Sequence, residues 1–454
     1  MELLIILVFV VGYLLITLEH SLHIDKAAPA LLLGVLTWAI FSVWTGDHHH
    51  VEEELFHHLP EIVNILFFLL GAMTIVELID IHDGFHVITS RIVTREKVKL
   101  LWIVCILTFF MSAALDNLTT AIVMASLLRK LIPQDRAARL LFAGMIIISA
   151  NAGGAWSPIG DVTTTMLWIG DCISTTTVIG QLIIPSLVCM FVPLMVISRR
   201  FKGSFAPLAY KTSYRTTTTE RMLVLCAGVA CLIFVPVFKT VTHLPPFMGM
   251  FFGVGVMWTL TELLHKGKAL EEKSSYSVLH ALTKIDTPSI LFFFGILAGV
   301  ACLSSIGVMK DLAIWLDANL SNRDVVVVFI GMFSSVVDNV PLVAASMKMY
   351  DVVTPEMIAA GATANEVGYF AMNGKFWEFL AYCAGTGGSM LIIGSAAGVA
   401  IMGIERIEFF WYMKNFTFLA LLGYISGAIV YLLMYPFTHT DSPLYDMILL
   451  PIFF

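Results

Sequence analysis

Long apolar runs separated by short polar connections cover nearly all of the 454 residues, and the length of each run decides what it can be. A hydrocarbon core about 30 Å thick takes about 20 helical residues to cross. Ten runs meet or approach that length: Leu3 to Leu18, Ala28 to Trp44, Ile62 to Leu78, Leu140 to Ile169, Ile173 to Ser198, Met222 to Thr242, Phe247 to Leu264, Ser289 to Ile306, Phe376 to Ile404 and Phe409 to Tyr435. Two more stretches, Leu100 to Ile132 and Val325 to Tyr350, are each interrupted at the centre by an Asp-Asn pair. Each is either one long helix or a hairpin that enters the membrane and turns back with the pair at its tip. The first run begins at Glu2 and lacks both a basic n-region and a clear small-residue cleavage site, so it reads as a retained span.

Lysine and arginine choose between helix and hairpin. If both stretches fold back, one side of the membrane receives Lys26, the Arg91 to Lys99 cluster, Arg129 to Arg139, the segment from Arg199 to Arg221, Lys266 to Lys284, and Arg406 with Lys414. The other side receives only Lys239, Lys310, Arg323, Lys348 and Lys375. Positive charge gathers on cytoplasmic loops, so the first side is cytoplasmic and both termini lie outside. Each half then holds five full spans and a hairpin, and the odd number inserts the second copy upside down. The predicted fold is an all-α polytopic membrane protein of two inverted repeats with broken helices at the midplane. The first repeat takes residues 1–200, with its hairpin over 100–132 and its broken helix over 140–169. A cytoplasmic linker takes 201–221, and the second repeat takes 222–454, with its hairpin over 325–350 and its broken helix over 376–404.

Composition agrees and excludes other classes. Apolar residues make up 58% of the chain and charged residues 13%, against about 25% charged in soluble domains. The net charge of −7 is spread over the loops and implies no nucleic-acid partner. Cys105, Cys172, Cys189, Cys226, Cys231, Cys302 and Cys383 are scattered through apolar segments without CxxC spacing, which reads as packing rather than metal or disulfide chemistry.

Two motifs recur in the same order in both halves. LDNLTTA at Leu115 to Ala121 answers VDNVPLV at Val337 to Val343, and GGAWSPIGD at Gly153 to Asp161 answers GGSMLIIGS at Gly387 to Ser395. The echo of ILFF at Ile65 and at Ile290 gains weight only from the polar motifs that follow it. A carboxylate beside a helix break at membrane depth is costly unless it lines a cavity, so a duplicated pair points to a secondary transporter. A sodium ion is a hard cation that takes several oxygen ligands. Asp116, Asn117, Thr119 and Thr120 offer oxygens at one break, with Ser157 and Asp161 at the next; Asp338, Asn339, Ser389 and Ser395 offer a set with one carboxylate fewer. Gly153, Gly154, Gly160, Gly387, Gly388 and Gly394 let the backbone unwind, although Gly-Gly pairs also serve tight helix crossing.

Other polar residues carry weaker signals. Glu77, whose counterpart in the second half is Cys302, is a candidate proton carrier or gate, or else a headgroup-level acid paired with a base. His82, Asp83 and His86 read as a cytoplasmic cap, and Asn151, Glu366, Asn373 and Glu378 lie near apolar windows. The segment from His48 to His58, with Glu52, Glu53 and Glu54, reads as a solvated acidic loop in preference to an external pH sensor or metal site.

The motifs LDNLTTA, GGAWSPIGD, VDNVPLV and GGSMLIIGS, with GAMTIVELID followed by HDGF, closely resemble the NhaD-type sodium/proton antiporters of the ion transporter superfamily. The Asn-containing hairpin and the Gly-Gly break belong to the wider superfamily; the Asp before each Asn, SPIGD and the Glu of TIVELID point to the antiporters. The resemblance implies an ion-coupled exchanger, a homodimer, with hairpin tips and broken helices framing the ion sites and Glu77, Asp116, Asn117, Ser157, Asp161, Asp338, Asn339 and Ser395 matching its motifs. The assignment of sodium to Asp116, Asn117, Asp161, Asp338 and Asn339 is read from their oxygens. The resemblance also implies a bacterial cytoplasmic membrane, transported sodium and protons, and no cofactor. The expected activity is export of sodium, and of lithium as a further candidate, against protons by alternating access. Sodium-coupled uptake of a dicarboxylate or oxyanion is the alternative. An intramembrane aspartyl enzyme is remote, because SPIGD lacks the first glycine of a GxGD signature.

Overall fold

The computed structural model describes residues 2–17, 19–90, 92, 94–205, 216–267, 270–320 and 322–439. Arg91, Lys268, positions 206–215 of the linker and the C-terminal residues from 440 onward lie outside them, as do the parts of the charge and linker readings that fall there.

Nine helices among the described residues are long and apolar enough to cross a membrane. The first half holds α1 (Glu2–Thr17), α2 (Ala27–Thr45), α3 (His48–Ile81), α4 (Lys97–Leu115), α5 (Asn117–Leu131), α6 (Arg136–Ala155), α7 (Val162–Ile169) and α8 (Thr175–Ser198). The second holds α9 (Thr218–Thr242), α10 (Pro246–Leu264), α11 (Thr287–Ser305), α12 (Val308–Asn319), α13 (Arg323–Phe333), α14 (Asn339–Met349), α15 (Lys375–Gly387), α16 (Ala396–Glu405) and α17 (Phe418–Thr438). Short helical turns fill several connections. Their starts follow capping chemistry: Asp47, Asp135, Ser174 and Asp286 each accept a backbone amide of the turn they open, and Thr217 forms a capping box with Glu220.

One expectation is corrected at α3. The His48 to His58 segment is no loop but the first turns of a 34-residue helix, because Asp47 caps it and no breaker follows until Pro60. His58 is buried there and meets the Ser305 hydroxyl at 3.2 Å.

The helices gather into two bodies. In the frame, α2 lies along α1 and α11, and α3 packs on α9, α10 and α11. The close α2–α11 contact needs glycine, since a methyl on Gly34 would sit 2.5 Å from the Gly295 carbonyl oxygen. The second body pairs α4 with α6, α13 with α15, α8 with α17, α5 with α16 and α6 with α15. Every residue of α15 is buried. Helices α7 and α14 join the second body through α15, and α14 also packs on α11 of the frame. Across this boundary run three lysine–carboxylate pairs: Lys26 with Asp338 at 3.0 Å, Lys239 with Asp171 at 2.8 Å and Lys348 with Glu61 at 2.5 Å.

Both interrupted stretches return on themselves. Arg95, before α4, donates to the carbonyl of Leu131, the last residue of α5, at 3.1 Å. At the feet of α13 and α14, Arg323 and Tyr350 both bind Asp317, at 3.1 and 3.2 Å. Matching contacts hold each broken helix against its neighbour. Ser112 donates to the Ala150 carbonyl at 2.6 Å and Ser334 to the Ala384 carbonyl at 3.3 Å. Gly153 lies against the Phe109 carbonyl, and Gly387 against that of Gly331.

Candidate functional site

Four helices begin at the motifs, and in each the motif residue is the N-cap. Asp116 opens α5, Asp161 opens α7, Asp338 opens α14 and Ser395 opens α16. An N-cap side chain accepts an amide that has no intrahelical partner, and a carboxylate there also meets the positive end of the helix dipole. That chemistry lets three acids persist among apolar helices.

Each acid keeps a different second partner. Asp116 accepts the Thr119 amide through Oδ1 and the Thr119 hydroxyl through Oδ2, both at 2.8 Å. Asp161 accepts the Thr163 amide at 3.3 Å and the Asn339 side-chain amide at 3.4 Å. Asp338 accepts the Val340 amide at 3.3 Å, and its other oxygen takes the Lys26 ammonium at 3.0 Å. Ser395 accepts the Gly398 amide at 3.2 Å.

Asn151, in the buried C-terminal part of α6, joins the first hairpin tip to the second break. Asn117 donates to the Asn151 Oδ1 at 3.1 Å, and Asn151 Nδ2 donates to the hydroxyls of Ser389 and Ser395, each at 2.9 Å. Asn151 stands two positions before Gly153; the matching position before Gly387 is Gly385. The bare face of Gly385 is where Asp161 comes in, its Oδ2 lying 3.4 Å from where a methyl would stand. Asn117 thus meets an amide of its own half, whereas Asn339 meets a carboxylate of the other.

The remaining predicted residues divide into two groups. Thr120 is buried in the first turn of α5 and its hydroxyl has no hydrogen-bond partner, which leaves an oxygen for a ligand. Ser157 ties the first break to the hairpin by donating to the Ala113 carbonyl at 2.6 Å. Gly154 packs on the Gly160 carbonyl and Gly388 on that of Gly394, so these glycines close each break on itself. Glu77 is not brought to the cluster. Its charged neighbours are Asp80 and Lys284.

A cavity beside the first hairpin tip is lined by Lys26, Asp116, Asn117, Thr165, Ser289 and Ala396, with apolar walls that include Leu69 and Met73. A second, more polar one lies between the end of α3 and the C-terminal half of α5, lined by Asp80, Asp83, His86, Ser126 and Lys130. Among the described residues no three His, Cys, Asp or Glu side chains converge on a metal position. The donors that do gather are mixed amide, hydroxyl and carboxylate oxygens, the set a hard monovalent cation takes.

Two site residues escaped the sequence reading. Asn151 registered only as a polar residue near an apolar window, because the repeat places a glycine opposite it. Lys26 was counted as a cytoplasmic loop charge. Its side chain, 19% exposed, turns inward onto Asp338 and the Phe292 ring, 4.3 Å from the ring centroid. A lysine at the end of an apolar run looks the same in sequence whether it snorkels out or turns in.

Comparison with known proteins gives a consistent result. Residues 13–374 match the family model described as citrate transporter. Sodium/proton antiporter 1 of Arabidopsis thaliana is 44% identical over 94% of this chain and 71% of its own length. Sodium/proton antiporter 2 of the same plant is 43% identical over 95% of this chain and 99% of its own length. The Na(+)/H(+) antiporter NhaD of Alkalimonas amylolytica is 30% identical over 94% of this chain and 89% of its own.

Proposed function

We propose, from the premise that this chain belongs to the citrate-transporter family and stands among its NhaD-type sodium/proton antiporters, that sodium and protons compete for the N-cap carboxylates of the four motif helices. The protein is a multi-pass membrane transporter that exchanges sodium for protons. The finer mechanism is alternating access by two inverted repeats, each with a hairpin and a broken helix, with residues 1–200 as the first and 222–454 as the second. Its support is the matched contacts of Ser112 with Ala150 and Ser334 with Ala384 in the two halves.

One observation carries the choice of a cation. Bare helix N-termini attract anions, but here three of the four motif N-termini already hold their own carboxylate. A dicarboxylate entering that ring would meet Asp116, Asp161 and Asp338; a sodium ion would complete them. The ion ligands proposed are Asp116, Asn117, Thr119, Thr120, Asp161, Asp338, Asn339, Ser389 and Ser395, with Ser157 and the six motif glycines shaping the breaks. Because a carboxylate oxygen takes either a proton or sodium, exchange needs no further coupling device.

Glu77 fits a gate or proton relay rather than a ligand. Met73, Glu77 and Asp80 follow one face of α3, and Met73 lines the cavity beside the first hairpin tip while Asp80 lines the second, more polar one. Glu77 therefore stands between the two. The setting proposed is a bacterial cytoplasmic membrane, with both termini outside and a homodimer as the assembly.

The deciding experiment uses purified protein in liposomes containing a pH-sensitive dye. Sodium added outside acid-loaded vesicles is expected to dequench the dye, with lithium and potassium scanned beside it. Uptake of labelled succinate without a sodium-driven pH change would overturn the reading.

A further inference from the structure

The Lys26–Asp338 pair is unlike the other contacts of the site. Asp116 and Asp161 have only neutral donors, whereas Asp338 holds a full positive charge at 3.0 Å, and that charge comes from the frame, at the start of α2. Side-chain exposures of 19% and 15% put the pair largely out of water. Lys26 also lines the cavity that Asp116 and Asn117 face, so an ion reaching the first half-site passes its ammonium. Other groups surround it: Glu19 accepts the Lys26 backbone amide at 3.4 Å, and both Glu19 and Asp286 are within electrostatic reach. The Tyr13 hydroxyl, buried and without a partner, feels the charge of Asp338 from α1.

We propose that Lys26 is a tethered counter-cation: its ammonium takes the cation position on Asp338 when sodium is absent there, and withdraws toward Glu19 and Asp286 when sodium arrives. The swap replaces one monovalent cation by another, so Asp338 is never left buried and uncompensated, a state that is strongly destabilising. It also joins occupancy to movement. With Lys26 on Asp338 an ionic tie adds to the packing of α14 on α11; with sodium on Asp338 that ionic tie is released. The inference rests on the sodium/proton reading and deepens it by assigning a residue that sets sodium affinity at one half-site.

The wild-type protein provides the first test. Purified in detergent and treated with an amine-reactive acylating reagent, with or without sodium and with N-methyl-glucamine as control, it is followed by peptide mass spectrometry. Sodium should raise acylation of Lys26 severalfold while lysines remote from the site stay constant. The second test is sodium binding, read as sodium-dependent thermal stabilisation at alkaline pH where proton competition is smallest. Lys26→Gln should tighten apparent sodium affinity by about tenfold, since an internal competitor is removed; Lys26→Arg should stay near wild type. Added to Asp338→Asn, Lys26→Gln should change nothing. If sodium stabilises the wild type but leaves Lys26 acylation unchanged, the counter-cation role is wrong. If Lys26→Gln weakens sodium equally with and without Asp338, its role is only to hold the fold. If sodium neither stabilises the wild type nor drives a pH change, the antiporter reading itself fails.

Discussion

At the scale of single residues, the carboxylates of this site are held by backbone chemistry that also sets how each responds to substitution. Asp116 has φ 87° and ψ 159°, a region that is essentially glycine's and costs about 1–3 kcal/mol for any other residue. Asp116→Gly relieves that strain and loses little capping, so folding stability should be unchanged or raised by about 1 kcal/mol. Exchange should nevertheless be abolished. Thermal unfolding and dye-based exchange on matched protein check both arms; a variant that is stable and still exchanges would remove Asp116 from the ion path. Asn151 gives a second prediction. Its loss in Asn151→Ala strips partners from Asn117, Ser389 and Ser395 together, a cost of about 1–3 kcal/mol. Half-activating sodium should rise about tenfold. An unchanged sodium dependence would mean that the bridge between the halves does not shape the site. The acids were legible in sequence because they sit in motifs that recur in order, even where Ser395 stands opposite Asp161; Asn151 was not, because a repeat comparison sees only Gly385 opposite it.

At the scale of elements, what was legible follows from what each element must satisfy alone. Full spans must be apolar along their whole length, so their positions are printed in the sequence. The breaks also showed, because only glycine tolerates the backbone contacts found there. A methyl on Gly387 would collide with the Gly331 carbonyl, and one on Gly153 with the Phe109 carbonyl. Neither obstacle is a side chain that can swing away. Gly387→Ala should therefore push α15 from α13, lower stability by about 1–3 kcal/mol or more and depress exchange. Gly255→Ala, where a methyl meets nothing within 4 Å, should be silent in the same thermal-unfolding and exchange measurements. Equal behaviour of the two variants would refute close packing as the reason for the Gly-Gly motif. Whether each interrupted stretch turns back could be argued only through loop charge, because Arg95 and Leu131 meet through a contact between chain-distant ends. The helix over His48 to His58 was hidden for a related reason: its charged first turns look like solvent-exposed loop, and only the cap at Asp47 marks where α3 begins.

At the scale of the whole molecule, the division into a frame and an ion-holding body was not legible, since both are built from equally apolar helices and only packing separates them. The partnership of Lys26 with Asp338 was hidden for that reason too: the residues lie in different bodies and in opposite halves of the chain. Yet the consequence of gathering three carboxylates into one cluster can be worked out with its sign. Protons and sodium occupy the same oxygens, so each proton bound to Asp116, Asp161 or Asp338 removes a ligand that sodium needs. Lower proton activity frees those ligands, and the sodium concentration giving half-maximal exchange should fall as pH rises. It should level off when the acids are ionised and another step, such as movement of the body against the frame, limits turnover. The reverse direction follows from the same competition: raising sodium should shift the apparent proton dependence toward more acidic pH. Both curves come from the same liposomes with sodium and pH varied independently on the two faces. Half-activating sodium that stays flat across the active pH range would show that the two ions do not share oxygens. The exchange would then need two separate sites, and the converging N-caps would be structural.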